Sequence, residues 1–345
     1  MHKRFQATLM MALMALMLLT GAQWAGRVTA TTTATASAQL ASLPASDIII
    51  YVDTQRLVSD TLPNFLANDP ALIAKVNAKL DRFQKETGID PRSFDSLSIG
   101  LRFNAPSAGG DFKFVALAHG NFNAASLIDT AFETARKKEN IGREEQTYEG
   151  KKIFVLTRTR PQDENAAPSN KTDAHRMAVA EMDASTIAFG DLESIRATVN
   201  PGSARVEQSL VDLATRTPNA FAGFAGNLPP GAAKSFRIGD GRADKLAASV
   251  RQIYGSLSTA GTAAETVLGL RTENQDQARD LAQAINGLKL ISKLGFGGDK
   301  SGARKAEAEA FSNLIEDLSV TSQGEEVEIK LNTTQSEIAP LMRRF

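Results

Sequence analysis

Ser96-Leu97-Ser98-Ile99-Gly100-Leu101-Arg102-Phe103 alternates small or polar residues with large apolar ones, without a break. A period of two is the pattern of a strand with one buried face. Gly109-Gly110-Asp111 then offers a turn, and Phe112 to His119 supplies a second strand, so the segment predicts an antiparallel hairpin. A parallel, doubly wound sheet would need longer apolar runs than these.

Working upstream, Asp47-Ile48-Ile49-Ile50-Tyr51-Val52-Asp53 is a short β-branched run and predicts a buried strand. Ala71 to Thr87 sets Ile73, Val76, Leu80 and Phe83 on one helical face, and Gly88 stands at the C-cap. Downstream, Asn123 can cap a helix to about Lys138, Tyr148-Glu149-Gly150 turns into a strand from Lys152 to Thr157, and Asp191 can cap a helix to Val199. Arg160 to His175 has the composition of an exposed loop, and short strands are expected at Met177 to Met182 and Thr186 to Phe189. Asn200-Pro201-Gly202 is the strongest break in the chain. Beyond it, Phe221 to Leu228 predicts a strand weakened by glycines, Lys245 to Tyr254 a helix, Ser256 to Thr272 a hairpin, and Asp276 to Leu294 a helix. Further helices are expected at Ala303 to Asp317 and Glu337 to Arg344, around a last hairpin that ends in Glu326 to Asn332. The fold class is therefore α+β: two units of antiparallel sheet, each with helices packed on one face. The same element order in both halves raises internal structural duplication, which no residue-level repeat supports.

The N-terminus reads as an address. His2-Lys3-Arg4 precedes an apolar run from Ala7 to Leu19, and Val28-Thr29-Ala30 or Ala36-Ser37-Ala38 offers a cleavage site. This is the build of a signal peptide over residues 1–30, bacterial in style, with a core short for a membrane span. An uncleaved anchor is the alternative. Residues 31–42 are Thr, Ala, Ser and Gln with little else apolar, and predict a flexible leader. The domains expected after it are 43–200 and 201–345.

Composition removes whole chemistries. The chain of 345 residues has 0 Cys, so disulfides, thiol nucleophiles and Cys-held metals are excluded, and 3 His, too few for a His-built zinc centre. With 39 basic and 39 acidic residues it has no basic field to hold nucleic acid. Loss of residues 1–30 removes Lys3, Arg4 and Arg27 and no acid, leaving a weakly acidic chain with no electrostatic pull toward anionic lipid. No cofactor, no metal and no lasting membrane insertion are expected.

Candidate chemistry is thin. Gly295-Phe296-Gly297-Gly298-Asp299-Lys300-Ser301-Gly302 resembles a phosphate loop, but Asp299 stands where a Walker loop has its glycine next to the lysine. His119 ends a strand and could act as a general base beside Asp53 or Asp111, whereas His175 falls in the exposed loop. No Gly-x-Ser-x-Gly elbow is present. Asp53, Asp90, Asp95, Asp111 and Glu149 lie near strand ends or turns and could pair for glycoside hydrolysis. Aromatics at 6%, mostly Phe, offer few sugar platforms.

Leu43-Pro44-Ala45-Ser46-Asp47 before the first strand and Thr87-Gly88-Ile89-Asp90-Pro91 after the first helix resemble the opening of a loose group of uncharacterised exported bacterial proteins. The phrases His119-Gly120-Asn121-Phe122-Asn123, Tyr148-Glu149-Gly150-Lys151-Lys152-Ile153 and Ala188-Phe189-Gly190-Asp191 fit the same impression. The resemblance implies export and an α+β fold, with no activity and no catalytic residue. The function expected is an exported, non-enzymatic protein that binds an envelope protein or another ligand, or scaffolds. The alternatives are a hydrolase using Asp53, Asp111 and His119, and a carrier of an apolar ligand in a cavity lined by Phe112, Phe114 and Phe132.

Overall fold

The computed structural model describes residues 32–103, 112–139, 141–158, 176–228, 248–295 and 312–337. Helix α1 (Thr32–Ala41) leads into strand β1 (Ile48–Asp53). Helix α2 starts at Thr54–Arg56, passes a π turn at Leu57–Thr61 and ends with Leu62–Phe65. Then follow α3 (Pro70–Thr87), β2 (Phe94–Phe103), β3 (Phe112–Gly120), α4 (Ala124–Glu139), β4 (Ile141–Tyr148), β5 (Lys151–Arg158), β6 (Met177–Asp183), β7 (Thr186–Asp191), α5 (Leu192–Val199) and α6 (Gln208–Ala214). The rest is β8 (Ala222–Asn227), β9 (Val250–Ala260), β10 (Ala263–Thr272), α7 (Gln275–Gly295), β11 (Ser319–Gln323) and β12 (Glu326–Thr334).

All twelve strands form one sheet in the order β11-β12-β10-β9-β8-β1-β2-β3-β7-β6-β5-β4, and every ladder is antiparallel. The α+β class and the antiparallel pairing are as the sequence predicts. The two expected sheets are one, because β1 pairs with β2 on one side and with β8 on the other. The β1–β8 ladder thus crosses the chain break at residue 200.

Register explains the core. Ile153, Ala180, Ala188, Leu117, Ser98, Tyr51, Gly223, Ser256, Val267 and Lys330 form one row across ten strands, on one face. Helices α1, α5 and α6 cover the first part of that face with Ala36, Leu40, Ile195, Val199, Leu210 and Val211. On the opposite face, Val52 packs with Leu57 of α2 and Phe221. Further along, Ala278, Leu281 and Ala282 of α7 bury Val327 and Val250. Helices therefore lie on both faces of the shared sheet, not on one face of each of two sheets.

Local signals held where periodicity was strong. Gly88 ends α3 at φ 75, a left-handed value that glycine adopts without cost. The Asn123 carboxamide caps α4 by accepting from the Ser126 N–H at 2.9 Å. Other expectations are corrected. Residues 31–42 are no flexible leader: 32–41 are helical, and Leu40 is 0% exposed. Ala, Thr and Ser hid one apolar stripe, Ala36–Leu40 at the i,i+4 spacing, which docks on Ile49 and Tyr51. Of the helix expected at Lys245 to Tyr254, residues 245–247 lie outside the described residues, and Val250 to Tyr254 instead begin β9, paired with β8 and β10. Strand β4 and helices α2 and α6 were not legible at all. Gly109 to Asp111, 160–175, 296–311 and 338–345 lie outside the described residues.

Docking of α1 is testable with Leu40→Ala. A fully buried leucine truncated to alanine costs about 2–5 kcal/mol. The loss is expected in urea unfolding of the chain lacking residues 1–30. A cost below about 1 kcal/mol would mean that α1 is not docked.

Candidate functional site

The sequence candidates Asp53 and His119 fall on one row at one end of the sheet. Asp53 pairs with Ser96, Ser96 with His119, His119 with Thr186, and Thr186 with Asp183. At about 4.8 Å between strands, the Asp53 and His119 backbones are roughly 10 Å apart, with Ser96 between them. Each side chain is engaged by a different partner. His119 Nδ1 lies 3.0 Å from the Thr186 hydroxyl and 3.5 Å from that of Ser185. Asp53 accepts from the Arg56 N–H at 2.8 Å and so caps α2. Asp111 lies outside the described residues.

A serine, a histidine and an aspartate do meet, at the β6–β7 turn. The Asp183 carboxylate accepts from the Ser185 N–H at 2.9 Å and from its hydroxyl at 3.1 Å. Burial pulls the Asp183 carboxyl upward, but hydrogen bonds from Ser185 and Thr186 and the His119 charge outweigh it, so its pKa lies below the ordinary value. The order is Asp–Ser–His, with the serine in the middle. A relay needs the histidine between nucleophile and carboxylate, so that the imidazole can take the serine proton while the carboxylate orients it. Here the aspartate competes with the histidine for the serine proton, and the arrangement is a turn lock.

Asp53 is the group under strain. It is only 8% exposed. Burial pushes its carboxyl above the ordinary value of 3.8, Asp95 adds to this, and the Arg56 N–H and guanidinium oppose it. Tyr51, one residue pair inward on the same face, is also pushed up by burial and by the Asp53 and Asp95 charges. The hydroxyls of Ser96 and Ser98 beside them are buried without a hydrogen-bond partner. The site is a buried polar seam in which burial, more than the Asp95 charge, disfavours the ionised carboxylate and Arg56 offsets part of that cost.

The remaining candidates have structural duties. Asp90 caps a short 3-10 turn at Pro91–Ser93. Glu149 holds φ 49 in the β4–β5 turn. Phe114 meets Phe189 edge-on at 5.8 Å between ring centres, and Phe132 lies 4.8 Å from the Arg143 guanidinium. Those rings are engaged with neighbours, and a cavity of about 180 Å³ beside α5 touches none of the three expected phenylalanines. His175 and the 296–302 stretch of the glycine-rich loop lie outside the described residues. Among the described residues no three His, Asp or Glu side chains gather as for a metal.

Sequence reasoning missed a second polar centre, on β9, β10 and β12. Glu326 accepts from Arg216 at 2.7 Å, from Arg271 at 3.2 Å and from the Tyr254 hydroxyl. Arg216 and Arg271 sit 5.1 and 5.8 Å from the Tyr254 ring centre. The Tyr254 ring lies on Gly269, where an added Cβ would fall 2.0 Å from it. Only the Glu326-Val327-Glu328-Ile329-Lys330 alternation hinted at a charged face.

No family model matches the chain, and no curated protein matches it. Among solved structures, crystal form III of TP0453 is similar at 9% identity and a TM-score of 0.43, covering 89% of this chain and 98% of that one. Crystal form I gives 9%, 0.41, 88% and 96%. Likeness at this level carries no argument about function. Among the described residues no helix is long and apolar enough to cross a membrane, which says nothing of crossing by strands.

The Asp53 seam predicts a pH signature. A carboxyl whose folded pKa is raised contributes stability that is fully present below its unfolded value and is lost as pH rises through the folded value. Asp53→Asn keeps an N-cap acceptor and removes the charge. The variant is expected to unfold at higher urea than wild type at pH 7, with the difference vanishing toward pH 3.8, the ordinary carboxyl value. A difference that is constant with pH would refute the strained charge.

Proposed function

We propose that this is an exported, non-enzymatic protein of the envelope or the exterior that acts by binding a partner, and that the β10–β12–β11 side of the sheet is where it binds. The single observation that carries this reading is the contrast between the two sheet edges. At the β4 edge, Arg143 pairs with Asp129, Glu144 with Arg176 and Glu145 with Lys152. Charge of that kind blunts an edge against further strands. At the other edge, Ser319-Val320-Thr321-Ser322-Gln323 carries no charge and no proline, and all but Val320 are exposed.

An uncharged edge strand can take an extended segment of another protein as a further strand, main chain to main chain. The neighbouring face supplies the selectivity: Glu328 pairs with Lys330 at 2.9 Å, and Arg271 with Glu326 at 3.2 Å, on β12 and β10. Mixed, half-exposed charges of this kind suit recognition more than chemistry. Export is supported by the charged start and the apolar run of residues 7–19.

The test is in-cell crosslinking in the native host from a photoreactive residue at Thr321, read by mass spectrometry. A reproducible envelope partner on a chain lacking residues 1–30 is the expected result. A cleaved chain without a partner, or a hydrolytic activity that His119→Ala abolishes, would overturn the reading.

A further inference from the structure

We propose that the cavity between the first turns of α5 and the β2–β3 hairpin binds a small tetrahedral oxyanion, a phosphate or sulfate group, through Arg102 and Lys113. The cavity holds about 180 Å³ and is lined by Arg102, Lys113, Glu193 and the serines Ser46, Ser194 and Ser203, among others. Liquid water takes about 30 Å³ per molecule, so there is room for such a group with part of its shell.

Charge placement is the first argument. Arg102 and Lys113 are direct cross-strand partners, on the same face as Gly100 and Val115. Like charges in that relation repel and destabilise the pair. Glu193 is the only acid among the lining residues; it pairs with Lys113, and its side chain is 72% exposed. Arg102 is exposed at the cavity wall and has no ion pair among the described residues, and its planar fork of five donors suits an oxyanion. Among the described residues, Asp47 accepts from the Phe103 N–H at 2.7 Å, and Asp191 from the Phe114 N–H at 2.7 Å.

The second argument is that the walls are fixed. Pro44 and Arg205 form an isolated β-bridge, and the Ala45 N–H donates to Ala204 at 2.9 Å. The Arg205 guanidinium ties this wall to the end of α5 through the carbonyls of Thr198 and Asn200, at 3.2 and 3.1 Å. Gly100 forms the floor: a Cβ there would lie 2.4 Å from the Ser46 hydroxyl. The Ser194 and Ser203 hydroxyls and two cations thus line one space of fixed shape, while the Ser46 hydroxyl donates to the Pro44 carbonyl at 2.8 Å. The inference stands apart from strand docking at β11.

Calorimetric titration of the chain lacking residues 1–30 tests it, at low ionic strength, with inorganic phosphate in one arm and glycerol 3-phosphate in the other. Saturable binding of one equivalent is expected, weakened at least tenfold by Arg102→Gln or Ser203→Asp and unchanged by Arg82→Gln, a remote exposed cation. Tighter binding of glycerol 3-phosphate would assign the site to a phosphate carried on a larger molecule, and equal binding to the free anion; both support the proposal. No saturation, or equal weakening by Arg82→Gln, overturns it. Should a variant fail to fold, the wild-type amide resonances of Gly100 and Ser194 decide: they must shift on titration with phosphate, and their constancy overturns the proposal.

Discussion

The structure depends on one strand being covered on both faces and paired on both edges. Ile48-Ile49-Ile50-Tyr51-Val52-Asp53 lies between β2 and β8, with Ile49 and Tyr51 beneath α1 and α6 and Val52 against α2 and Phe221. Burying side chains of this size is worth about 1.5–3 kcal/mol each, which is why the run has no polar alternation. Strand β8, Ala222-Gly223-Phe224-Ala225-Gly226-Asn227, has little side chain of its own to bury. It is held because β1 and β9 satisfy its backbone on both sides. Gly223 is needed there, since a Cβ would meet the Ala214 carbonyl of α6 at 2.0 Å.

That central strand also sets the cost at its end. Once β1 is buried along its length, its last residue is buried with it, and Asp53 becomes a carboxylate in a dry seam. The Arg56 backbone and guanidinium compensate in part, and the buried Ser96 and Ser98 hydroxyls do not. The seam is thus a by-product of joining two halves through one strand. The His119 end of the same row is held by Thr186 and by Ser185 of the β6–β7 turn instead.

Legibility in the sequence followed locality. Strand β12 and helices α3, α4 and α7 announce themselves by a one-sided apolar period, and β2 and β3 by apolar residues at strand spacing although both are buried on two faces. Strand β4 does not, since Ile141-Gly142-Arg143-Glu144-Glu145-Gln146-Thr147-Tyr148 sits at an edge and pairs its charges with neighbours. Helix α1 hides because alanine packs closely without looking apolar in a Thr and Ser background. The joining of the two halves is invisible because pairing between residues 48–52 and 222–226 leaves no trace in either run. For the site, the residue types at Asp53 and His119 were readable and their separation was not. The Arg102–Lys113 pair needed the register of the hairpin, which the turn outside the described residues leaves open in sequence.

One face of the sheet changes character along its row, and Tyr254 marks where it does. On one side lie Tyr51, Ala225 and the cover of α1 and α6; on the other, Arg271, Glu326, Glu328 and Lys330 face outward. Tyr254 is 2% exposed, with its ring against the apolar core and its hydroxyl on Glu326. A phenol can stand at such a border because it has an apolar body and one polar end. Gly269 gives the ring its floor, and Arg216, reaching from the end of α6, closes over it at 5.1 Å. The border is therefore fixed by packing, so the charged side of the sheet is presented as a rigid surface. A surface held rigid before contact costs less to order on binding than a flexible one, and among the described residues the helices over this face, α1, α5 and α6, lie on the Tyr51 side of Tyr254.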